Sequence, residues 1–323
     1  MELELGMGGS YYEPGLPRRL IEDAAIQESF SPYSISFPGT TQIETSSALF
    51  SFGQLDLYSN DFIFSLFFRN HYPRVTGTYF IPGTNGILLG VNNYDIEDRV
   101  QGVGFSHIFY ALNDRLRFIP GYGFIGYSQY MKFKGNALSI INSTSPATVQ
   151  YGRDQTDNGR TSTTSAFIGL GIEFDFSETI RLKSQIRYMP LSSGDFTLNM
   201  QSYIRETSPT SGGTTVSLLG FQVMNGKAMH SLFDIDTKIQ YALSDYVQFN
   251  VGFRYERIGS KYSPNAFYAP FNATVQDNSG TTNGFLLLYS FEALTDERVY
   301  QPLGQNLGTA YFSITFRTER TNI

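Results

Sequence analysis

The residues of this chain whose types could do chemistry fall into two groups: scattered histidines, and charges that share one strand parity. His71, His107 and His230 stand far apart, with no His-x-His or His-x-x-His spacing to pair them as metal ligands. His71 and His230 fall where an outer rim is expected, as does Asp195, and a histidine beside a carboxylate there would suit acid–base hydrolysis. Asp154, Asp157 and Asp277 lack the alternating oxygen-ligand spacing of an EF-hand calcium loop. GVGFSH at 102–107 and GYGFIG at 121–126 would cradle phosphate only ahead of a helix, and they read as strand glycines. No catalytic residue, metal site or cofactor site is assigned. The better-defined constellation is Glu173, Asp175, Arg181, Lys183, Arg187, Asp234, Asp236, Lys238 and Arg254. It would line an ion or solute path, or fill an interior with compensated pairs; packing is the preferred reading, because stranding one buried partner costs ~3–5 kcal/mol.

The elements that must position these charges are strands. FIGLGIEFDFSETIRLKSQIRYM at 167–189 puts Ile168, Leu170, Ile172, Phe174 and Phe176 on even positions and resumes with Ile180, Leu182, Ile186 and Tyr188. The odd positions carry Glu173, Asp175, Arg181, Lys183 and Arg187. A period of two on both sides of Ser177-Glu178-Thr179 is a β-hairpin, and it sets Asp175 opposite Arg181 and Glu173 opposite Lys183. Phe233, Ile235 and Ile239 alternate likewise with Asp234, Asp236 and Lys238, and Val251, Phe253 and Tyr255 with Gly252, Arg254 and Glu256. The same register is expected to run from Ile180 to about Arg205, with Phe196, Leu198 and Met200 on the apolar parity.

Short acidic turns recur at LYSND (57–61), LNDR (112–115), FSET (176–179) and LSDY (243–246). Between them lie long segments with polar middles near 13–42, 81–95, 135–163, 206–229 and 261–306. Ten strands with four tight turns and five long loops follow, with twelve as the alternative if GFLLLYSF at 284–291 adds strand. Helical spacing at 16–30 and 291–300 suggests pieces that cap the outer mouth in preference to plugging the lumen.

Composition sets the class. Charged residues make up 16 % of the 323-residue chain, against the roughly 25 % usual for soluble domains. Phe (28) and Tyr (22) supply the aromatics without Trp, as interfacial girdles would. The longest apolar runs, such as FIFSLFF at 62–68, fall far short of the ~20 residues of a spanning helix. Cysteine is absent, and a net charge of −6 argues against nucleic acid. A sandwich needs no short/long loop asymmetry, and a soluble barrel of lipocalin type runs to about eight strands with its apolar face inside. The expected fold is therefore all-β: a transmembrane antiparallel up-and-down β-barrel over 1–323 as one domain. Short periplasmic turns and long extracellular loops complete it. MELELGMGG begins directly with alternation, so Met1 is expected to stand where an export leader was removed.

GTAYFSITF at 308–316 resembles the terminal strand that Gram-negative outer-membrane barrels offer to their insertion machinery. ALNDRLRFIPGYGFIGYSQYMKF at 111–133 and the hairpin at 166–205 resemble omptin strands, and that resemblance implies ten long strands rising above the membrane. Omptins use two acid/His pairs at the rim, but FRNHYPRVTG (68–77) has no Asp pair and SSGDFTLNM (192–200) no Asp-x-His. The resemblance thus implies architecture and not proteolysis. The expected function is a surface barrel of structural, adhesin-like or complex-forming role, touching outer-membrane lipid and lipopolysaccharide and engaging a protein partner through its loops. A narrow diffusion channel is the alternative, and a divergent rim hydrolase comes third.

Overall fold

The computed structural model describes residues 1–15, 18, 40–82, 86–112, 114–141, 148–207, 215–277, 280–288 and 303–318. Fourteen strands account for nearly all of them. In chain order they are β1 (Glu2–Glu13), β2 (Thr40–Thr45), β3 (Ala48–Ser59), β4 (Phe62–Tyr72), β5 (Arg74–Pro82), β6 (Gly86–His107) and β7 (Phe109–Ala111). The rest are β8 (Leu116–Ile141), β9 (Thr148–Asp175), β10 (Ile180–Thr207), β11 (Thr215–Ala242), β12 (Val247–Asp277), β13 (Gly280–Leu288) and β14 (Leu303–Arg317).

Ten of them close a ring in the order β1-β3-β4-β6-β8-β9-β10-β11-β12-β14, every pair antiparallel. The ring shuts where β1 meets β14, with Leu3 opposite Phe316 and Tyr12 opposite Leu307. The other four are extensions. β2 and β5 carry the β3–β4 hairpin onward past Ser46 and Pro73, and β7 continues β6 past Ile108. β13 folds back on the end of β12 outside the ring, so the extra strand expected near 284–291 exists without raising the ring to twelve. The segment 291–300 and, apart from Arg18, the segment 16–30 lie outside the described residues.

The tight turns fall where the acidic signals stand, and Asn60 and Asp114 adopt positive φ (52° and 65°), a conformation their short polar side chains tolerate. The opposite end differs from a set of irregular loops. β8 to β12 run 26 to 31 residues each, whereas a tilted membrane strand needs about 9–11. Much of the polar middles at 81–95, 135–163, 206–229 and 261–306 is therefore strand, and tall hairpins carry the barrel wall well past a bilayer.

Strand polarity reverses along that height. On β9, Ile172, Leu170 and Ile168 point outward and are exposed, followed on the same face by Thr164, Arg160, Asn158 and Thr156. The inward face begins with Glu173 and ends with Thr163, Thr161 and Gly159. On β8, exposed Phe118, Tyr122 and Phe124 give way to Lys132 and Lys134, while Ile125, Tyr127, Met131 and Phe133 are buried inside. The lower barrel is apolar outside and polar inside, as hydrocarbon demands; the upper barrel is polar outside and apolar inside, as water demands. One cluster joins Tyr94, Ile96, Met131, Phe133, Phe196, Leu198, Ile258 and Tyr262 as the core of that upper part.

The single register expected for 180–205 is corrected by this core. A bulge between Met189 and Ser192 spans Pro190 and shifts the parity by one, so Phe196 and Leu198 turn inward. Proline cannot donate to the ladder, which makes this a natural place for it.

Candidate functional site

The lower lumen is a stack of charged layers whose order follows from distance to the tight turns. Nearest the turns, Asp175 faces Arg181 and Glu173 faces Lys183 across β9 and β10. Lys183 Nζ lies 2.9 Å from Glu173, Arg117 Nη1 3.1 Å from Glu173, and both Arg117 and Arg181 reach Asp175 at 2.5 Å. Beside them Arg317 pairs with Glu2 at 2.7 Å, closing the first strand onto the last. A vestibule of about 330 Å³ opens below, lined among others by Arg117, Asp175, Arg181, Gln240 and Gln248.

The next layer is deeper. Lys238 is ion-paired with Glu4, whose other oxygen accepts from Ser313 (2.6 Å) and Asn250 (3.2 Å). Arg254 is paired with Asp236, which also accepts from the Tyr311 hydroxyl at 2.5 Å, and the guanidinium lies over the rings of Phe50 and Phe52. Arg69, fully buried, bridges two strands on the far wall: 2.6 Å to Asp234 and 2.6 Å to Glu256. His71 Nε2 also meets Glu256 at 2.6 Å, and its Nδ1 lies 3.1 Å from Ser10 Oγ. Above this, Asp98 accepts from Tyr127, Gln129 and Gln305 at 2.6–2.9 Å.

All nine charges singled out in the sequence therefore stand in one lumen, but they are only part of the set. Glu2, Glu4, Asp56, Arg69, Asp98, Arg117, Glu256 and Arg317 belong to it as well. The signal for Glu2 and Glu4 was present in MELELG, where both oppose leucines. For Arg69 it was absent, because FIFSLFF is apolar on both parities: Phe62, Leu66 and Phe68 face outward while Ile63 and Phe67 pack inside.

The rim grouping of His71, His230 and Asp195 is corrected. Both histidines are buried in the lumen, and Asp195, turned outward by the β10 bulge, pairs with Lys227 at 2.6 Å on the exposed wall. Ser10, His71 and Glu256 form a hydrogen-bonded chain of nucleophile, imidazole and carboxylate, yet all three are sealed from solvent, so no substrate reaches the hydroxyl. Among the described residues no group of three or more His, Asp or Glu side chains is poised to hold a metal ion.

His230 stands three residues beyond the level of outward-facing Arg257, above the apolar belt. Its ring nitrogens lie 2.7 Å from Thr161 Oγ1 and 2.8 Å from Ser260 Oγ, and burial pushes its pKa down to about 4. A base held below its ordinary value of about 6.5 stabilises the fold above that pH, and the contribution fades as pH falls toward 4. Lowering the pH from 7.5 to 5 should therefore cost wild type about 2 kcal/mol more than His230→Gln, read from urea unfolding in detergent. Equal pH dependence in the two proteins would contradict neutral burial of this ring.

The chain is an outer-membrane-type β-barrel of ten antiparallel strands. No protein-family model and no curated protein matches it. Among solved structures it is similar to the outer membrane protease OmpT from Escherichia coli, at 7 % identity over 98 % of this chain and 95 % of that one, TM-score 0.48. It is also similar to the translocator domain of the autotransporter NalP from Neisseria meningitidis (10 % identity, 98 % and 88 % covered, TM-score 0.30). A third likeness is the toluene transporter TbuX from Ralstonia pickettii (8 % identity, 98 % and 90 % covered, TM-score 0.30).

Proposed function

We propose that residues 1–323 form one outer-membrane barrel that does not conduct, with the lumen as structural filling and the tall outer wall as the working surface. The observation that carries this reading is the pairing of a filled interior with strands of 26 to 31 residues. Buried ion pairs occupy the membrane level, and the apolar cluster around Phe196, Leu198 and Tyr262 closes the lumen above it. Ten strands enclose little more than the eight whose interior side chains fill. The short turns and both termini face the periplasm in this account; Met1 and Thr318 are hydrogen-bonded to each other at that end. The upper hairpins then stand outside the cell, held by a packed core, and connections presented on paired strands suit recognition of a partner protein. Outer-membrane lipid and lipopolysaccharide surround the wall below them.

Refolded protein in a planar bilayer should be electrically silent at about ±100 mV, since the charged layers and the apolar cluster would leave water no continuous path. Reproducible conductance steps that fall on substitution of Arg254 would replace this reading with the channel. Protease shaving of the outer hairpins on intact cells should abolish partner binding while the barrel stays in the membrane. Binding that survives shaving would contradict a role for the tall wall.

A further inference from the structure

Arg187 differs from every other cation of the lumen. Arg69, Arg117, Arg181, Lys183, Lys238, Arg254 and Arg317 each have a carboxylate in ion-pair range; among the described residues Arg187 has none. The ladder sets Asp234 directly across from it, but Asp234 is taken by Arg69 at 2.6 Å. Arg187 is 4 % exposed, its Nη2 donates to Gln185 Oε1 at 2.7 Å, its guanidinium lies 4.2 Å over the Phe67 ring, and its Nε has no partner. A buried guanidinium with so little compensation is costly as it stands.

Beside it is a small cavity of about 10 Å³, lined by Arg187, Gln185, Ser65, Ser106, Gly104 and Phe167 among others. Besides Arg187, two of the side chains around it can donate. Gln185 turns its oxygen to the arginine, which leaves the amide NH₂ for the cavity side, and the Ser106 hydroxyl has no partner among the described residues. Ser65 has already given its proton to Asp56 at 2.6 Å. Gly104 keeps the space open: a Cβ there would come within 3.3 Å of Phe167 and 3.9 Å of the Ser65 Cβ.

We propose that this cavity is a binding site for one small monatomic anion, of the chloride class, held by Arg187 Nε, the Gln185 amide and the Ser106 hydroxyl. A buried guanidinium with no carboxylate in ion-pair range, further donors beside it and a small volume select against phosphate or carboxylates, and favour an anion over a water, which would bring no charge to the guanidinium. The site goes beyond the surface role above and stands or falls without it.

Crystals of the detergent-solubilised protein soaked in sodium bromide test the assignment directly. An anomalous peak beside Arg187 Nε is expected; a peak-free cavity overturns it. In parallel, urea unfolding is followed in chloride and in gluconate at matched ionic strength. Above the dissociation constant, each tenfold rise in chloride should raise the folded-to-unfolded ratio about tenfold in wild type and leave it unchanged in gluconate. Gly104→Ala keeps every donor and fills the cavity, so it should fold and lose the chloride response; Ser106→Ala should weaken it. Identical curves in the two salts, or a response retained in Gly104→Ala, would contradict the site.

Discussion

Arg69→Met is expected to lose about 3–5 kcal/mol of stability, because it strands Asp234 and Glu256 together in a buried wall. Among the described residues the guanidinium is the one group ion-paired to both, and its side chain is buried from the solvent that could soften the loss. His71 would be left as the sole donor to Glu256 from that strand. Unfolding in urea, read by the heat-modifiable mobility of the barrel on gels, measures the effect. Removing the two carboxylates as well, in Arg69→Met with Asp234→Asn and Glu256→Gln, should recover most of it, since the amides need hydrogen bonds but no counter-charge. A single-variant loss below about 1 kcal/mol would mean that water reaches this layer.

Ile168→Arg is expected to cost about 2–4 kcal/mol and to slow insertion into vesicles. Ile168 is 65 % exposed at the outer face of the lower barrel, flanked on that face by Leu170 and Tyr122, where a charge has hydrocarbon and no partner. Asn158→Arg, on the same strand and the same parity ten residues further, should change stability by less than about 0.5 kcal/mol. The pair isolates the polarity reversal, for only the solvent outside the wall differs between them. Equal costs would place both positions in the same medium and remove the boundary.

Much of this architecture is legible in the text because hydrocarbon enforces alternation. Ile168 to Phe176 and Ile180 to Tyr188 announce their faces, and the acidic turns mark the short end. The charges at 173–187 and 234–254 read as lumenal for the same reason. Three physical effects hide the rest. Where a strand leaves the bilayer the meaning of parity inverts, so stretches such as Gly135 to Ile141 and Thr156 to Thr163 look like loop although they are paired wall. At Pro190 one extra residue turns Phe196 inward and Asp195 outward, which no single-register reading can follow. In FIFSLFF both faces are apolar, one to lipid and one to the aromatic filling, so nothing set Arg69 and His71 apart as lumenal. Ion-pair partners are a fourth loss: Arg187 and Asp234 are opposed in the ladder, yet the tertiary fold gives Asp234 to a residue more than a hundred positions away.

The absence of native cysteine makes one experiment direct: single-cysteine labelling on intact cells with a membrane-impermeant maleimide. Asn158→Cys on the upper outer wall should label fully, while Leu198→Cys in the upper core and Ile168→Cys in the belt should stay unlabelled until the protein is unfolded. Rapid labelling of Leu198→Cys would open the lumen to water, and labelling of Ile168→Cys would take the belt out of the membrane; either result contradicts a closed barrel with a water-exposed upper wall.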